Sequence, residues 1–126
     1  MKVLTGIDII EIKRVEDSIK QFGSSFLDKI YTNKEIEYCE SRKMSKYQHY
    51  AARFAAKEAI YKAISTFSNN EGSRIDWKDM EVINLEDGKP VVKLKNIDFK
   101  DKIECIDISI SHCKEYATAS AVVLCK

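Results

Sequence analysis

Two carboxylates of this sequence stand where an acid is costly to keep. Asp8 falls inside Ile7-Asp8-Ile9-Ile10, where period-two alternation offers it no obvious solvated face. Glu58 falls in the stretch from Tyr50 to Ile64, in which every residue except Arg53, Lys57, Glu58 and Lys62 is Ala, Ile, Phe or Tyr. Two oxygen donors with cations beside them are what a magnesium phosphate site requires. Mg2+ takes one or two carboxylates, keeps several waters and completes its shell with substrate phosphate oxygens. Arg and Lys then neutralise the remaining phosphate charge. Both acids also have plain structural readings, Asp8 as a capping acid at a strand end and Glu58 as the i,i+4 partner of Lys62. His112, directly after Ile108–Ser111, could orient a phosphate or simply lie at the surface, and His49 lacks even that setting. Cys39 has no neighbouring base in sequence, which argues against a catalytic thiol. The chain contains no P-loop, G-x-S-x-G or H-E-x-x-H pattern, which removes the commoner enzyme templates.

The elements that must position these groups are legible in outline. From Ser41 to Asn70 six cations (Arg42, Lys43, Lys46, Arg53, Lys57 and Lys62) accompany one carboxylate, Glu58. A helix as apolar as Tyr50–Ile64 is mostly buried, so its charges must pair among themselves or await a ligand. Lys2 to Ile10 reads as a strand in which Gly6 permits close approach of a backbone or ligand. Arg14 to Phe22 reads as a helix stopped by Gly23. Thr32-Asn33-Lys34-Glu35 is a capping-box pattern opening a helix to about Arg42, and Ser45-Lys46-Tyr47-Gln48 repeats the signal before a long Ala-rich helix to about Thr66. Phe67 to Arg74 reads as a loop. Strands at 79–86 and 90–95 flank the hairpin turn Asp87-Gly88. Residues 105–111 alternate, with Ile106, Ile108 and Ile110 opposite Asp107, Ser109 and Ser111. A last strand, Tyr116–Leu124, puts Ala117, Ala119, Ala121 and Val123 on one face, and Ala52, Ala55, Ala56, Ala59 and Ala63 share one side of the long helix. Two small-residue faces can approach closely. The expected class is α+β, an antiparallel sheet packed on the long Ala-rich helix with the first strand joining it.

Composition narrows the function. A chain of 126 residues predicts one domain, 1–126, and an apolar fraction of 44% excludes disorder. A net charge of +1 argues against a protein that lives on nucleic acid, and no nucleic-acid partner is expected. Apolar runs fall short of the roughly 18 residues that mark a membrane span, and Asp8 breaks the first of them, so no membrane segment or signal peptide is expected. Cys39, Cys105, Cys113 and Cys125 lack C-x-x-C spacing, which argues against zinc and for reduced thiols in a cytoplasmic protein.

Three segments together resemble a known family. Gly6-Ile7-Asp8-Ile9-Ile10-Glu11, RFAAKEAIYKA at Arg53–Ala63, and ISISHCKEYATA from Ile108 to Ala119 are similar to the signatures of the holo-[acyl-carrier-protein] synthases, the 4′-phosphopantetheinyl transferase family. EDGKP at Glu86–Pro90 resembles the family's hairpin, and the likeness runs in order over nearly the whole chain. It implies the 4′-phosphopantetheinyl transferase fold and Mg-dependent transfer of the 4′-phosphopantetheine arm of coenzyme A to a serine of apo acyl carrier protein. Adenosine 3′,5′-bisphosphate would leave, and the reaction would support fatty acid biosynthesis. By matching position, Asp8 and Glu58 would be the catalytic metal ligands, with Glu58 or a neighbouring water as the base. Arg53, Lys57, Lys62 and His112 would contact the phosphates of coenzyme A, and Arg14 would meet an acidic helix of the carrier protein. The family implies a homotrimer with sites between adjacent subunits. The chain departs from the family where KA-F-G-T-G is common: Ala63-Ile64-Ser65-Thr66-Phe67 has neither glycine, which bears on phosphate contacts in that segment. Two other classes stay open. One is a non-enzymatic nucleotide or RNA binder stacking bases on Tyr47, Tyr50, Phe54 and Tyr61, and the other is a catalytically idle paralogue.

Overall fold

Period-two alternation at both ends of the chain makes the long strands, and the alanine face between them makes the helix they cover. The computed structural model describes residues 2–71 and 74–126, the side chains of 68–71 excepted. In chain order the elements are β1 (Lys2–Glu11), α1 (Ile12–Phe22), α2 (Ser24–Ile30), α3 (Asn33–Ser41), α4 (Lys46–Glu71), β2 (Met80–Asn84), β3 (Pro90–Leu94), β4 (Ile103–His112) and β5 (Tyr116–Cys125). Short 3-10 turns lie at Lys43–Ser45, Trp77–Asp79 and Lys100–Lys102. The main sheet is antiparallel in the order β1-β5-β4, so the two ends of the chain pair, with Gly6 opposite Ala121 and Asp8 opposite Ala119. The class is α+β, as the patterns predict.

The two small-residue faces meet. Ala52, Ala55, Ala56, Ala59 and Ala63 of α4 are buried, as are Ala117, Ala119, Ala121 and Val123 of β5. β1 also comes close to α4 at Gly6, where a Cβ would lie 1.9 Å from the Ala59 carbonyl oxygen. Only glycine lets β1 cross the helix there, so the close approach is to backbone. Because inner residues of β1 alternate with outer ones, the same register turns Asp8 toward α4 and leaves Val3, Ile7 and Ile9 exposed on the opposite face, beside Val122 of β5.

Several expectations need correcting. Strands β2 and β3 form their own two-stranded sheet and do not extend the main one. Helix α1 begins at Ile12, two residues early, because Ile12 is buried and its N–H donates to the Glu115 carbonyl at 2.9 Å. Helix α2 is unforeseen: Gly23, with φ 56°, reverses the chain, and seven residues are too few to show a helical period. Helix α4 runs to Glu71, past Thr66, so residues 67–71 are not the expected loop, while Gly72 and Ser73 lie outside the described residues. Phe67 is what holds this extension, its ring stacked on Phe99 at 5.3 Å and 29°. The capping box at Thr32–Glu35 is present in full, whereas the Ser45 hydroxyl donates to the Arg42 carbonyl at 3.2 Å.

Candidate active site

Packing β1 across α4 brings Asp8 and Glu58 to one cleft of about 340 Å³, lined also by Arg14, Ile10, Phe26 and Phe54. Asp8 reaches it by strand alternation, Glu58 by its place on the helix face beside the alanines, and Arg14 from the first turn of α1. Partial burial pushes the Glu58 carboxyl above its ordinary range, and the negative charge of Asp8 adds to the rise, while Lys62 opposes it. Lys62 crosses to the strand, with its Nζ 3.2 Å from Asp8 Oδ1 and donating to the Ile7 carbonyl at 2.9 Å. The i,i+4 pair read from sequence is therefore replaced by one between elements. Two carboxylates thus face one cleft, with the Lys62 ammonium beside Asp8.

The remaining expected phosphate contacts are not at this cleft. Arg53 is 3% exposed, with Nη2 donating to Asn84 Oδ1 at 2.6 Å and its guanidinium 4.3 Å from the Tyr38 ring. Its Nε is buried with no hydrogen-bond partner. Lys57 is fully buried, 2.9 Å from Glu35 Oε1 and donating to the Trp77 carbonyl at 2.8 Å. Burial pulls this ammonium below its ordinary value although Glu35 opposes the shift. In this placement Lys57 is the internal counter-ion of Glu35, and turning it outward toward a phosphate would strand that carboxylate in the interior. His112 is exposed at the end of β4, its ring 5.9 Å from that of His49.

Sequence reasoning missed His49. Its ring lies 5.5 Å from Tyr38, and partial burial with the charges of Arg42, Arg53 and His112 lowers its proton affinity. Arg42 also covers the Tyr38 ring, at 4.6 Å. Arg42, Arg53 and His49 thus gather on one tyrosine ring, and His112 packs against His49. The signal was present in the spacing, because Tyr38–Arg42 and His49–Arg53 are both i,i+4 pairs. The cleft wall was missed for a different reason. Phe54 stacks on Trp77 at 5.1 Å and 26°, a contact between residues far apart in sequence. Trp77 then lines a second cavity of about 270 Å³ with Glu58, Tyr61, Ile75 and Met80.

Other chemistries find little support. Burial pushes the Cys39 thiol up to about 12, so it is not a thiolate nucleophile at neutral pH. Among the described residues no three His, Cys, Asp or Glu side chains converge on a metal position. A base-stacking surface is opposed by Tyr50, which is fully buried with its hydroxyl donating to Glu40 at 2.7 Å. No helix among the described residues is long and apolar enough to cross a membrane.

Comparison with known proteins places these features in a family. The sequence model of the 4′-phosphopantetheinyl transferase superfamily matches residues 5–121. The chain is 46% identical to the holo-[acyl-carrier-protein] synthase of Ruminiclostridium cellulolyticum over 98% of its own length and 92% of the relative's. In structure it is similar to the Helicobacter pylori holo-[acyl-carrier-protein] synthase in complex with coenzyme A, with a TM-score of 0.80 at 31% identity, covering 96% of this chain and 100% of that one. The Bacillus anthracis holo-(acyl-carrier-protein) synthase in complex with CoA (3′,5′-ADP) gives a TM-score of 0.75 at 33% identity, covering 95% and 94%.

Proposed function

This chain belongs to the 4′-phosphopantetheinyl transferase superfamily, and from that membership we propose that it moves the 4′-phosphopantetheine group of coenzyme A to a serine of apo acyl carrier protein, releasing adenosine 3′,5′-bisphosphate. It is an enzyme of the holo-[acyl-carrier-protein] synthase type. The observation that carries the detailed reading is the joint presence of Asp8, Glu58 and Arg14 on one cleft.

The donor chemistry fits magnesium. Asp8 and Glu58 are two hard oxygen ligands whose mutual repulsion a divalent ion would relieve, and water with substrate phosphate would complete the shell. When bound, the ion supplies charge neutralisation at the pyrophosphate. Lys62, which lies against Asp8 and the Ile7 carbonyl, would serve a phosphate oxygen at this site. Arg53 and His112, with Arg42 and His49 beside them, would contact the other phosphates of the nucleotide portion. Lys57 stays inside. Glu58 is suited to receive the serine proton, because burial and Asp8 both raise its affinity for one. Arg14, at the mouth of the cleft, would meet the acidic carrier protein and bring its serine to the phosphorus.

We read residues 1–126 as one domain acting as a homotrimer in fatty acid biosynthesis, in the cytoplasm. The exposed apolar face of β1 supports the assembly, and four free cysteines support the compartment. The test is incubation with coenzyme A, magnesium and apo carrier protein, read by the mass of the carrier. A phosphopantetheine adduct on a serine is expected, absent without magnesium and absent in Asp8→Ala and Glu58→Ala. No adduct on folded carrier protein would favour the idle-paralogue reading. Near-normal turnover of either variant would remove the metal assignment.

A further inference from the structure

We infer that Lys57 is a positioning residue of the Glu58 site, a buried counter-ion that fixes the wall of the cleft without touching substrate. The proposal rests on the transferase reading. A continuous chain of polar contacts runs through it. Lys95 Nζ lies 2.9 Å from Glu81 Oε1, and the Thr32 hydroxyl donates to Glu81 Oε2 at 2.6 Å. Glu35 Oε1 accepts the Thr32 N–H at 2.8 Å and lies 2.9 Å from Lys57 Nζ, while Glu35 Oε2 accepts the Val82 N–H at 2.8 Å. Lys57 Nζ completes the path by donating to the Trp77 carbonyl at 2.8 Å.

Every oxygen and nitrogen at the centre of this path has an assigned partner, and Glu35 and Lys57 are shut off from solvent. The capping carboxylate of α3 is therefore also the counter-ion of α4. What the path holds is specific. The Trp77 carbonyl is fixed by Lys57, the Trp77 ring is stacked on Phe54, and Phe54 lines the cleft with Asp8 and Glu58. Glu58 follows Lys57 directly on α4 and lies between the Phe54 cleft and the Trp77 cavity. A one-residue offset on a helix separates the two side chains by about 100°, so Lys57 can face the core while Glu58 faces the site. Loss of the Lys57 bond frees the wall against which Glu58 is aligned.

Trp77 is the single tryptophan, so its emission reports the wall directly. The test compares Lys57→Met with the paired variant Lys57→Met plus Glu35→Gln, which removes the stranded anion. We expect Lys57→Met to lose thermal stability and at least tenfold in kcat, and the pairing to recover the stability. The paired variant should keep its Kd for coenzyme A within threefold of the unmodified protein, yet remain at least fivefold low in kcat, with Trp77 emission more easily quenched by acrylamide. A Kd weakened tenfold or more in the paired variant would make Lys57 a substrate contact and overturn the proposal. Unchanged kcat and quenching in a folded paired variant would reduce the pair to scaffold and overturn it equally. Coenzyme A binding and Trp77 quenching need no carrier protein, so absence of transfer by the unmodified protein would sink the transferase reading separately.

Discussion

Glu58 holds a proton more tightly in the folded protein than in the unfolded chain, and the consequence has a definite sign. A carboxyl raised on folding binds more protons in the native state, so stability is full below the ordinary carboxylate range and falls as pH climbs through the raised value. At neutral pH the metal-free protein therefore carries an unfavourable charge at Glu58. Glu58→Gln should raise the Tm of the metal-free protein at pH 7 and leave it nearly unchanged at pH 4, while abolishing transfer; equal Tm changes at both values would contradict the electrostatic cause. Arg14 gives a second test at this scale. It lines the cleft but lies on the exposed side of α1, where a charge steers an acidic partner more than it binds a nucleotide. Arg14→Ala should raise the carrier-protein KM by about tenfold, the scale of one charge-assisted contact, and flatten its salt dependence. Loss of coenzyme A binding in that variant would instead move Arg14 into the nucleotide site.

At the scale of elements, the crossing of β1 over α4 sets the site, and Gly6 sets the crossing. A methyl group at Gly6 would meet the Ala59 carbonyl oxygen at 1.9 Å, far inside contact distance, and both partners are backbone. Gly6→Ala should cost about 3 kcal/mol, the upper range of overpacking, measured by denaturant unfolding. It should also separate Asp8 from Glu58 and so remove more activity than stability loss alone explains. The C-terminal part of α4 tests the missing glycines. Helix continues through Ser65, Thr66 and Phe67, and the Phe67 ring is committed to Phe99. Ser65→Gly with Phe67→Gly should destabilise by about 4 kcal/mol, combining helix propensity with loss of a half-buried ring. Coenzyme A affinity should not improve, and a gain would place phosphate against this segment.

At the scale of the molecule, one face of the main sheet is finished by α4 and the other is not. Ile7 is 68% exposed, Ile9 66% and Val3 57%, all on the outer face of edge strand β1. An apolar patch on an edge strand is a place for a second chain. Ile7→Asp should convert the proposed homotrimer to monomer in light scattering and lower transfer at least tenfold if adjacent subunits share the site. A fully active monomer would dissociate assembly from catalysis.

Much of this was written in local pattern. The β1, β4 and β5 alternations, the Thr32–Glu35 capping box, the alanine stripe of α4 and the glycine of β1 follow from short-range sterics and period, which a sequence displays directly. Asp8 and Glu58 could be singled out because each carries a charge in an apolar run. Which cation goes with which acid was not legible, since a charge pairs with whatever the fold brings near. Lys62 left its helix neighbour for Asp8 on another element, and Lys57 turned inward to Glu35. His49 took meaning only from Tyr38 and His112, and Phe54 only from Trp77. Sequence period determines which face a side chain occupies; what stands opposite that face is decided by packing between segments distant in the chain, where the cost of burying a charge selects its partner.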